Sequence, residues 1–201
     1  MGHRSPKNPT EEFRKAADMF KADQRNLDAP HVFAGQPTSA EMFRDWVNEY
    51  DIPEHCPEDI HVQFDVSRNL YIYAWYVYRF TSPAQAQAYA TLELALRTRF
   101  EELGIKFNRR SDGLSALLRK AIKNGFLRDG GFPHLKHTPL ADSLDPNGTE
   151  YCQMLPKIIS TFRNAFAHGG TTLLNLPPSL MALQTTSAII HQLYASHGDK
   201  S

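Results

Sequence analysis

The sequence predicts an all-α fold, because apolar residues recur at helical spacing over long stretches that glycine and proline separate. Three stretches carry this pattern most clearly, at residues 84–102, 114–124 and 150–168. Within each of them apolar side chains fall three or four positions apart, which places them on one face of a helix. The chain has 201 residues, of which 41% are hydrophobic, enough for the core of one domain. We therefore expect a single helical domain.

The N-terminal third, residues 1–65, is expected to form a helical and irregular extension of that domain. Apolar residues at near-helical spacing predict a first helix over 10–27. Capping residues followed by an amphipathic pattern predict a second helix over 38–50. Residues 53–65 contain two prolines and an alternating pattern, which indicate an irregular, partly extended arm.

An aromatic segment follows at residues 70–80. It contains six aromatic residues, and its density of aromatic and β-branched side chains locally indicates a strand. Periodicity alone leaves a buried helix open. Aromatic side chains can stack on unpaired bases, but so dense a run is more often core.

The longest stretch without a helix breaker is 84–102, which predicts a long helix. Ser82 supplies an N-cap, and Pro83 suits the first helical position. Gly104 is expected to end this helix. A shorter helix is predicted at 114–124, where another glycine follows.

The last third of the chain predicts a long loop and then two helices. Residues 130–148 are rich in Gly, Pro and Asp, which is typical of a loop. The next helix should begin near Glu150, and Pro156 should either kink it or mark its first turn. A closing helix is expected from about Ser179, followed by a disordered tail at 196–201.

Charge is balanced overall but unevenly distributed along the chain. The 22 basic and 22 acidic residues cancel, which is unlike a dedicated duplex-DNA binder. Residues 1–65 carry 7 basic and 13 acidic residues, a net charge of −6, whereas residues 97–136 carry 10 and 4, a net charge of +6. A polyanion should therefore approach the second region. No signal peptide or apolar window of membrane-spanning length is present, so we expect a soluble, cytoplasmic protein with no membrane contact.

Metal-binding patterns are weak. Cys56 and Cys152 lie far apart with no C-x-x-C pair, which argues against a disulfide framework and against a structural zinc site. His134 and His137 lie three residues apart, but no carboxylate or thiol beside them completes a ligand set. We expect neither a metal nor another cofactor.

The segment that suggests chemistry is Arg163-Asn164-x-x-x-His168, which Gly169-Gly170 follows. On a helix, Asn164 and His168 share a face, while Arg163 lies about 100 degrees round from Asn164. Arginine brings a permanent charge and a planar donor fork suited to phosphate, and histidine has the proton affinity nearest neutrality. Together they suit RNA cleavage by the RNA's own 2′-hydroxyl, which needs proton transfer and charge stabilisation but no metal.

This segment resembles the R-x4-6-H motif of HEPN domains, in which a polar residue commonly follows the arginine. The order of the predicted elements is also similar: a long helix with Glu93 and Arg97, a Leu-rich helix at 114–124, the motif helix and a closing helix. The resemblance covers roughly residues 66–195. It implies an up-down helical bundle in which residues 70–80 are helical, against the local indication of a strand.

The resemblance also implies a function. In catalytic HEPN ribonucleases the motif residues of two protomers meet in one cleft, and cleavage is metal-independent. We therefore expect a homodimeric endoribonuclease that cleaves single-stranded or loop RNA, of the toxin or phage-defence kind, with an antitoxin as a candidate protein partner. Arg163 would stabilise the scissile phosphate, His168 would transfer a proton, and Asn164 would orient one of them. Glu93 and Arg97 would support the site.

Two alternatives stay open. A two-residue motif recurs by chance, and a histidine in the last turn before glycine stabilises a helix by itself, so the chain could be a non-catalytic helical module that binds a protein or a nucleotide. Basic residues after the long helix could guide RNA to the cleft or form a solvated helix face. These residues are Arg109, Arg110, Arg119, Lys120 and Lys123.

Overall fold

The computed structural model describes residues 13–28, 39–138, 142–167 and 176–195. Within these ranges the chain forms seven α-helices and no strand, which confirms the all-α prediction. The helices are α1 (Gln24–Leu27), α2 (Ala40–Asn48), α3 (Glu58–Tyr73), α4 (Thr81–Glu102), α5 (Leu114–Lys123), α6 (Glu150–Ala167) and α7 (Leu176–Leu193). In this part of the chain, no helix combines the length and the apolar character needed to cross a membrane. The expected tail at 196–201 lies outside the described residues.

Helix α4 lies at the centre of the fold and packs against α3, α5, α6 and α7. Because it is contacted on several sides, its buried residues are distributed around much of its circumference rather than along one stripe. They include Ala84, Ala88, Tyr89, Leu92, Ala95, Leu96 and Phe100. The helix begins at Thr81, slightly earlier than predicted, and Gly104 (φ 65°) follows its end as expected.

Helix α3 replaces most of the irregular arm predicted at 53–65, so that prediction is wrong from residue 58 onward. Pro57 stands immediately before the helix, and Glu58 and Asp59 lie in its first turn, where negative charge is favourable. These residues are a helix-start signal that the two-proline composition of the segment obscured. The expected division between residues 65 and 66 falls inside α3.

Helix α3 has a helical pattern of buried residues that Val62 disguises, because Val62 is 50% exposed yet alternates with Phe64 as in a strand. The buried residues are Ile60, Phe64, Ser67 and Tyr71, which follow helical spacing. Ser67 interrupts the apolar stripe but is accommodated, because its hydroxyl donates a hydrogen bond to the carbonyl of Phe64 (2.6 Å).

The aromatic segment 70–80 forms no strand, so the local strand prediction is wrong. Helix α3 ends at Tyr73, a turn follows, and a 3₁₀ turn covers Tyr78–Phe80 before α4 begins. The helix implied by the resemblance is therefore present only at the start of the segment. Three of the six aromatic side chains, those of Tyr71, Trp75 and Tyr78, are buried, in accord with a core role for this part of the segment.

Two buried polar residues of the N-terminal segment clamp the turn between α3 and α4. The backbone amide of Asp23 donates to the carbonyl of Trp75 (2.9 Å), and its carboxylate accepts from the amide of Tyr78 (3.0 Å). Nδ2 of Asn26 donates to the carbonyls of Ala74 (2.8 Å) and Trp75 (2.9 Å). Backbone groups that a strand would have bonded to a neighbouring strand are thus satisfied by Asp23 and Asn26.

The helix predicted over 10–27 is not continuous. A 3₁₀ turn covers Ala16–Asp18, and the one-turn helix α1 follows after a break. Asp23 causes this break, because its carboxylate caps α1 by accepting from the amide of Arg25 (3.1 Å). Residues 10–12 lie outside the described ranges. By contrast, the predicted second helix is confirmed as α2, which Ser39 caps.

Helices α5 and α6 pack against each other, and α6 carries the motif arginine. Helix α6 begins at Glu150 as predicted and runs through Pro156, so this proline does not mark its first turn. The hydroxyl of Ser115 on α5 donates to the carbonyl of Pro156 (2.8 Å). This bond links the two helices where the proline ring removes an intrahelical donor.

The N-terminus of α6 is capped by a residue from the preceding loop. Asp129 is buried, and its carboxylate accepts hydrogen bonds from the backbone amides of Tyr151 (3.1 Å) and Cys152 (3.0 Å). These amides have no partner within the helix, so the carboxylate satisfies them and complements the helix dipole. The loop predicted at 130–148 is therefore anchored, and it contains a 3₁₀ turn at Pro133–His137.

Candidate functional site

Arg163 lies on α6, in the helical turn before the end of that helix at Ala167. Its side chain is 51% exposed, and Nη1 lies 3.1 Å from Oε2 of Glu93 on α4. The motif arginine is therefore held at one edge of its guanidinium, while the rest of the group is open to solvent. Glu93 and Arg97, which the resemblance named as support, lie next to it.

Glu93 bridges two arginines. Its Oε1 accepts from Nε (3.1 Å) and Nη2 (2.7 Å) of Arg97, one helical turn further along α4, while Oε2 faces Arg163. The Glu93 side chain is only 18% exposed, so solvent screens these pairs less than it screens surface pairs. Two positive charges share one negative charge, which leaves the cluster with a net charge of +1.

Arg97 also fixes the loop between α4 and α5. It donates to the carbonyls of Arg109 (3.3 Å) and Asp112 (2.7 Å), and its guanidinium lies over the ring of Phe107 at 5.6 Å from the ring centroid. The cation–π contact and the two hydrogen bonds hold this loop against the end of the Glu93 cluster. The backbone of the basic loop is therefore connected to Arg163 through Arg97 and Glu93.

The predicted RNA-guiding residues are only partly available. Arg109 pairs with Glu101 (2.7 Å), and Nζ of Lys120 donates to the carbonyl of Lys106 (2.6 Å) and faces Asp112 (3.4 Å). The remaining three, Arg110, Arg119 and Lys123, are exposed. The sequence predicts the same role for all five. The positive charges of Arg109 and Lys120 are partly neutralised by their acidic partners, so these two residues attract a polyanion less strongly.

A pocket of about 300 Å³ lies beside Arg163, between α4 and α6. The residues that line it include the aromatic Tyr89 and Phe162 and the small Ala86 and Ala90. Gln85 also lines it and is 2% exposed. No sequence pattern indicates this pocket, because a glutamine inside a long helix carries no signal of burial.

The other two motif residues are described incompletely or not at all. Asn164 lies in α6, but its side chain is outside what the structure describes, and His168 lies outside the described residues. The part of the site given by the structure is thus the Arg163–Glu93–Arg97 cluster and the adjoining pocket.

The histidines elsewhere do not form a metal site among the residues that the structure describes, where no three His, Cys, Asp or Glu side chains converge. Nε2 of His134 lies 3.1 Å from the hydroxyl of Tyr151, and burial lowers the pKa of His134. The side chain of its predicted companion, His137, is outside the described residues. His191 instead faces Asp51 (3.1 Å).

Comparisons of the chain with protein-family models, with curated proteins and with solved structures found no match. A functional assignment therefore depends on the motif and on the geometry of α4 and α6.

Proposed function

We propose that the protein is a metal-independent endoribonuclease of HEPN type, an up-down helical bundle that cleaves single-stranded or loop RNA. The observation that carries the proposal is the placement of Arg163, half exposed at the rim of a pocket and oriented by Glu93. A guanidinium held in this way is pre-organised to bind a phosphate, because its orientation does not have to be fixed when the substrate arrives.

Glu93 orients Arg163 without cancelling its charge. The carboxylate is shared with Arg97, and its contact with Arg163 is made through Nη1 at 3.1 Å. Arginine has five N–H donors, so others are left for two phosphoryl oxygens. The net charge of the cluster also favours an anionic ligand.

In the proposed reaction the 2′-hydroxyl of the RNA attacks the adjacent phosphorus. The O2′–P bond forms and the P–O5′ bond breaks, leaving a 2′,3′-cyclic phosphate and a free 5′-hydroxyl. One proton leaves the 2′-hydroxyl and one is delivered to O5′, and His168 takes part in this transfer. Arg163 donates to the non-bridging oxygens, where negative charge grows in the transition state. Asn164 orients one of these two side chains.

The proposal includes a second copy of the chain. In a homodimer, Arg163 and His168 of both copies would share one cleft, and the exposed residues Arg110, Arg119 and Lys123 would guide RNA towards it. We place this activity in the cytoplasm, in a toxin or phage-defence setting where a protein antitoxin could restrain it.

Cleavage of a mixed single-stranded RNA in the presence of EDTA tests the proposal. Wild type should cleave and leave cyclic-phosphate ends, whereas Arg163→Ala and His168→Ala should lose cleavage by about 100-fold or more. Arg44→Ala and His61→Ala are matched controls, since Arg44 is an exposed arginine of α2 and His61 lies on α3. DNA of the same sequence should stay intact, because it lacks the 2′-hydroxyl.

Equal activity in all five proteins, or cleavage of DNA, would contradict this mechanism. An absence of cleavage by folded, dimeric wild type would favour the alternative, a non-catalytic helical module. The Arg163–Glu93 pair also fits that alternative, because it would then serve only to attach α6 to α4.

A further inference from the structure

We propose that the pocket between α4 and α6 binds a nucleobase whose phosphate contacts Arg163, and that Gln85 recognises the hydrogen-bonding edge of this base. The inference rests on the proposed function for its substrate class, RNA. It adds a base-binding subsite and a residue that determines specificity.

The shape and lining of the pocket suit a flat aromatic ring. Tyr89 and Phe162 supply aromatic surface, and Ala86 and Ala90 leave space between the helices. Its volume of about 300 Å³ is at the lower end of the range for small-molecule sites. Unpaired RNA bases are commonly bound by stacking on aromatic side chains, together with hydrogen bonds to the base edge.

Gln85 provides the hydrogen-bonding group. Its Nε2 donates to the hydroxyl of Tyr89 (3.3 Å), while its Oε1, also buried, accepts no hydrogen bond from the residues that the structure describes. Buried amide oxygens nearly always accept a hydrogen bond. Oε1 is the buried atom of Gln85 that no described residue bonds, so the group left to recognise a ligand is an acceptor, which an N–H donor such as the exocyclic amine of adenine would satisfy.

Arg163 supplies the third element at the rim of the same pocket. A ligand that uses the whole site needs an N–H donor, a flat apolar body and an anion. A nucleotide has all three, whereas inorganic phosphate has only the last. The phosphate at Arg163 and the base beside Gln85 would then belong to one nucleotide of the bound RNA.

Equilibrium binding of adenosine 5′-monophosphate to the full chain, measured by calorimetry, tests the inference without requiring cleavage. Ribose 5-phosphate, which lacks the base, should bind at least about tenfold more weakly, as expected for the loss of one stacked base. Purine riboside 5′-monophosphate, which lacks the exocyclic amine, should also bind more weakly to wild type. Gln85→Met should remove the difference between the two purine nucleotides.

Ala86→Leu provides a second test that leaves the buried glutamine in place. The larger side chain should fill the pocket and weaken binding of adenosine 5′-monophosphate about tenfold, while ribose 5-phosphate should bind as before. Ala116→Leu on α5 is the matched control, because Ala116 is similarly part-buried but does not line the pocket. Circular dichroism should show that all variants are folded.

The outcomes separate this inference from the ribonuclease proposal. Equal affinity for adenosine 5′-monophosphate and ribose 5-phosphate would show a phosphate site alone and overturn the inference, even if RNA is cleaved. Failure to bind the nucleotide at all would do the same. Base-dependent binding that Ala86→Leu and Gln85→Met alter as expected would support it, including in a protein that cleaves no RNA.

Discussion

Oε2 of Glu93 lies 3.1 Å from Nη1 of Arg163, and this ion pair joins the two helices that border the candidate site. The same carboxylate holds Arg97, which in turn holds the loop after α4. Glu93, a single part-buried residue on α4, therefore holds α6 and, through Arg97, the loop after α4 next to the exposed guanidinium of Arg163. Its removal should affect both stability and function.

Glu93→Gln should lower the free energy of unfolding by about 1–2 kcal/mol, because the two hydrogen bonds from Arg97 and the ion pair with Arg163 lose a charged acceptor in a part-buried setting. It should also reduce RNA cleavage, since Arg163 loses its orienting partner. Urea unfolding and the RNA assay measure the two effects. Glu101→Gln is the matched control, because its partner Arg109 is 75% exposed and that pair should contribute little. Equal effects of the two substitutions would argue against a special position for Glu93.

Asp129→Ala should destabilise the fold by about 2 kcal/mol, because it leaves two amides at the start of α6, one part-buried and one buried, without an acceptor. Thermal or urea unfolding followed by circular dichroism checks this value. Asp145→Ala offers a comparison, since Asp145 accepts from the amide of Asn147 in an exposed turn. If both variants were as stable as wild type, capping of α6 by the loop would be unimportant.

Asp23 should make stability depend on pH in the acid range. Burial alone would raise its pKa, but hydrogen bonds from Arg25 and from the amide of Tyr78 outweigh that effect and lower the pKa below its ordinary value of 3.8. The folded state thus favours the carboxylate. Its contribution is complete above the ordinary pKa and is lost as the pH falls through the lower folded pKa.

The test for Asp23 compares wild type with Asp23→Asn by urea unfolding at several pH values. The variant should be less stable at neutral pH, and the difference should shrink as the pH falls from about 5 to about 2. A difference that stays constant over this range would show that ionisation of Asp23 contributes nothing to the acid response.

Both cysteines should resist thiol reagents in the folded protein. They are free and buried, and burial raises the pKa of Cys56 to about 11 and raises the pKa of Cys152 as well. Because the thiolate is the reactive form, Cys56 at pH 8 should react about 100-fold more slowly than an exposed thiol. Reaction with a chromogenic disulfide, with and without urea, measures this. Fast labelling of the native protein would indicate that the structure around these thiols opens readily. The variants Cys56→Ser and Cys152→Ser assign each signal to one cysteine.

The sequence was informative where a helix is amphipathic and has clear ends. Helices α4 and α5 were predicted within a few residues, since Gly104 and Gly125 adopt the positive φ angles that follow a helix end. The first turns of helix α3 were not predicted because Val62 lies on its exposed face, so that Val62 and Phe64 together imitate the alternation of a strand. The strand prediction for the aromatic segment is wrong because the residues that satisfy its backbone groups, Asp23 and Asn26, lie about 50 positions earlier in the chain.

In the candidate site, too, the residues marked by a local sequence pattern were predictable and those brought together only by packing were not. Arg163 was found because an arginine followed at fixed spacing by histidine forms a motif, and Glu93 was suggested by the resemblance rather than by any local pattern. The contact between Glu93 and Arg163 joins positions 70 residues apart, which spacing along the chain cannot predict. Gln85 was not identified, because only packing distinguishes a buried glutamine from a solvated one.

The clamp that Asp23 and Asn26 place on the turn after α3 has a consequence for biosynthesis. Its hydrogen bonds join residues 48, 49 and 55 positions apart, and the N-terminal partners leave the ribosome first. They cannot dock until α3 and its turn have emerged, so the clamp closes only after Tyr78 has left the ribosome. Until then the backbone groups of this turn lack their partners, and this interval is when a chaperone would be most needed.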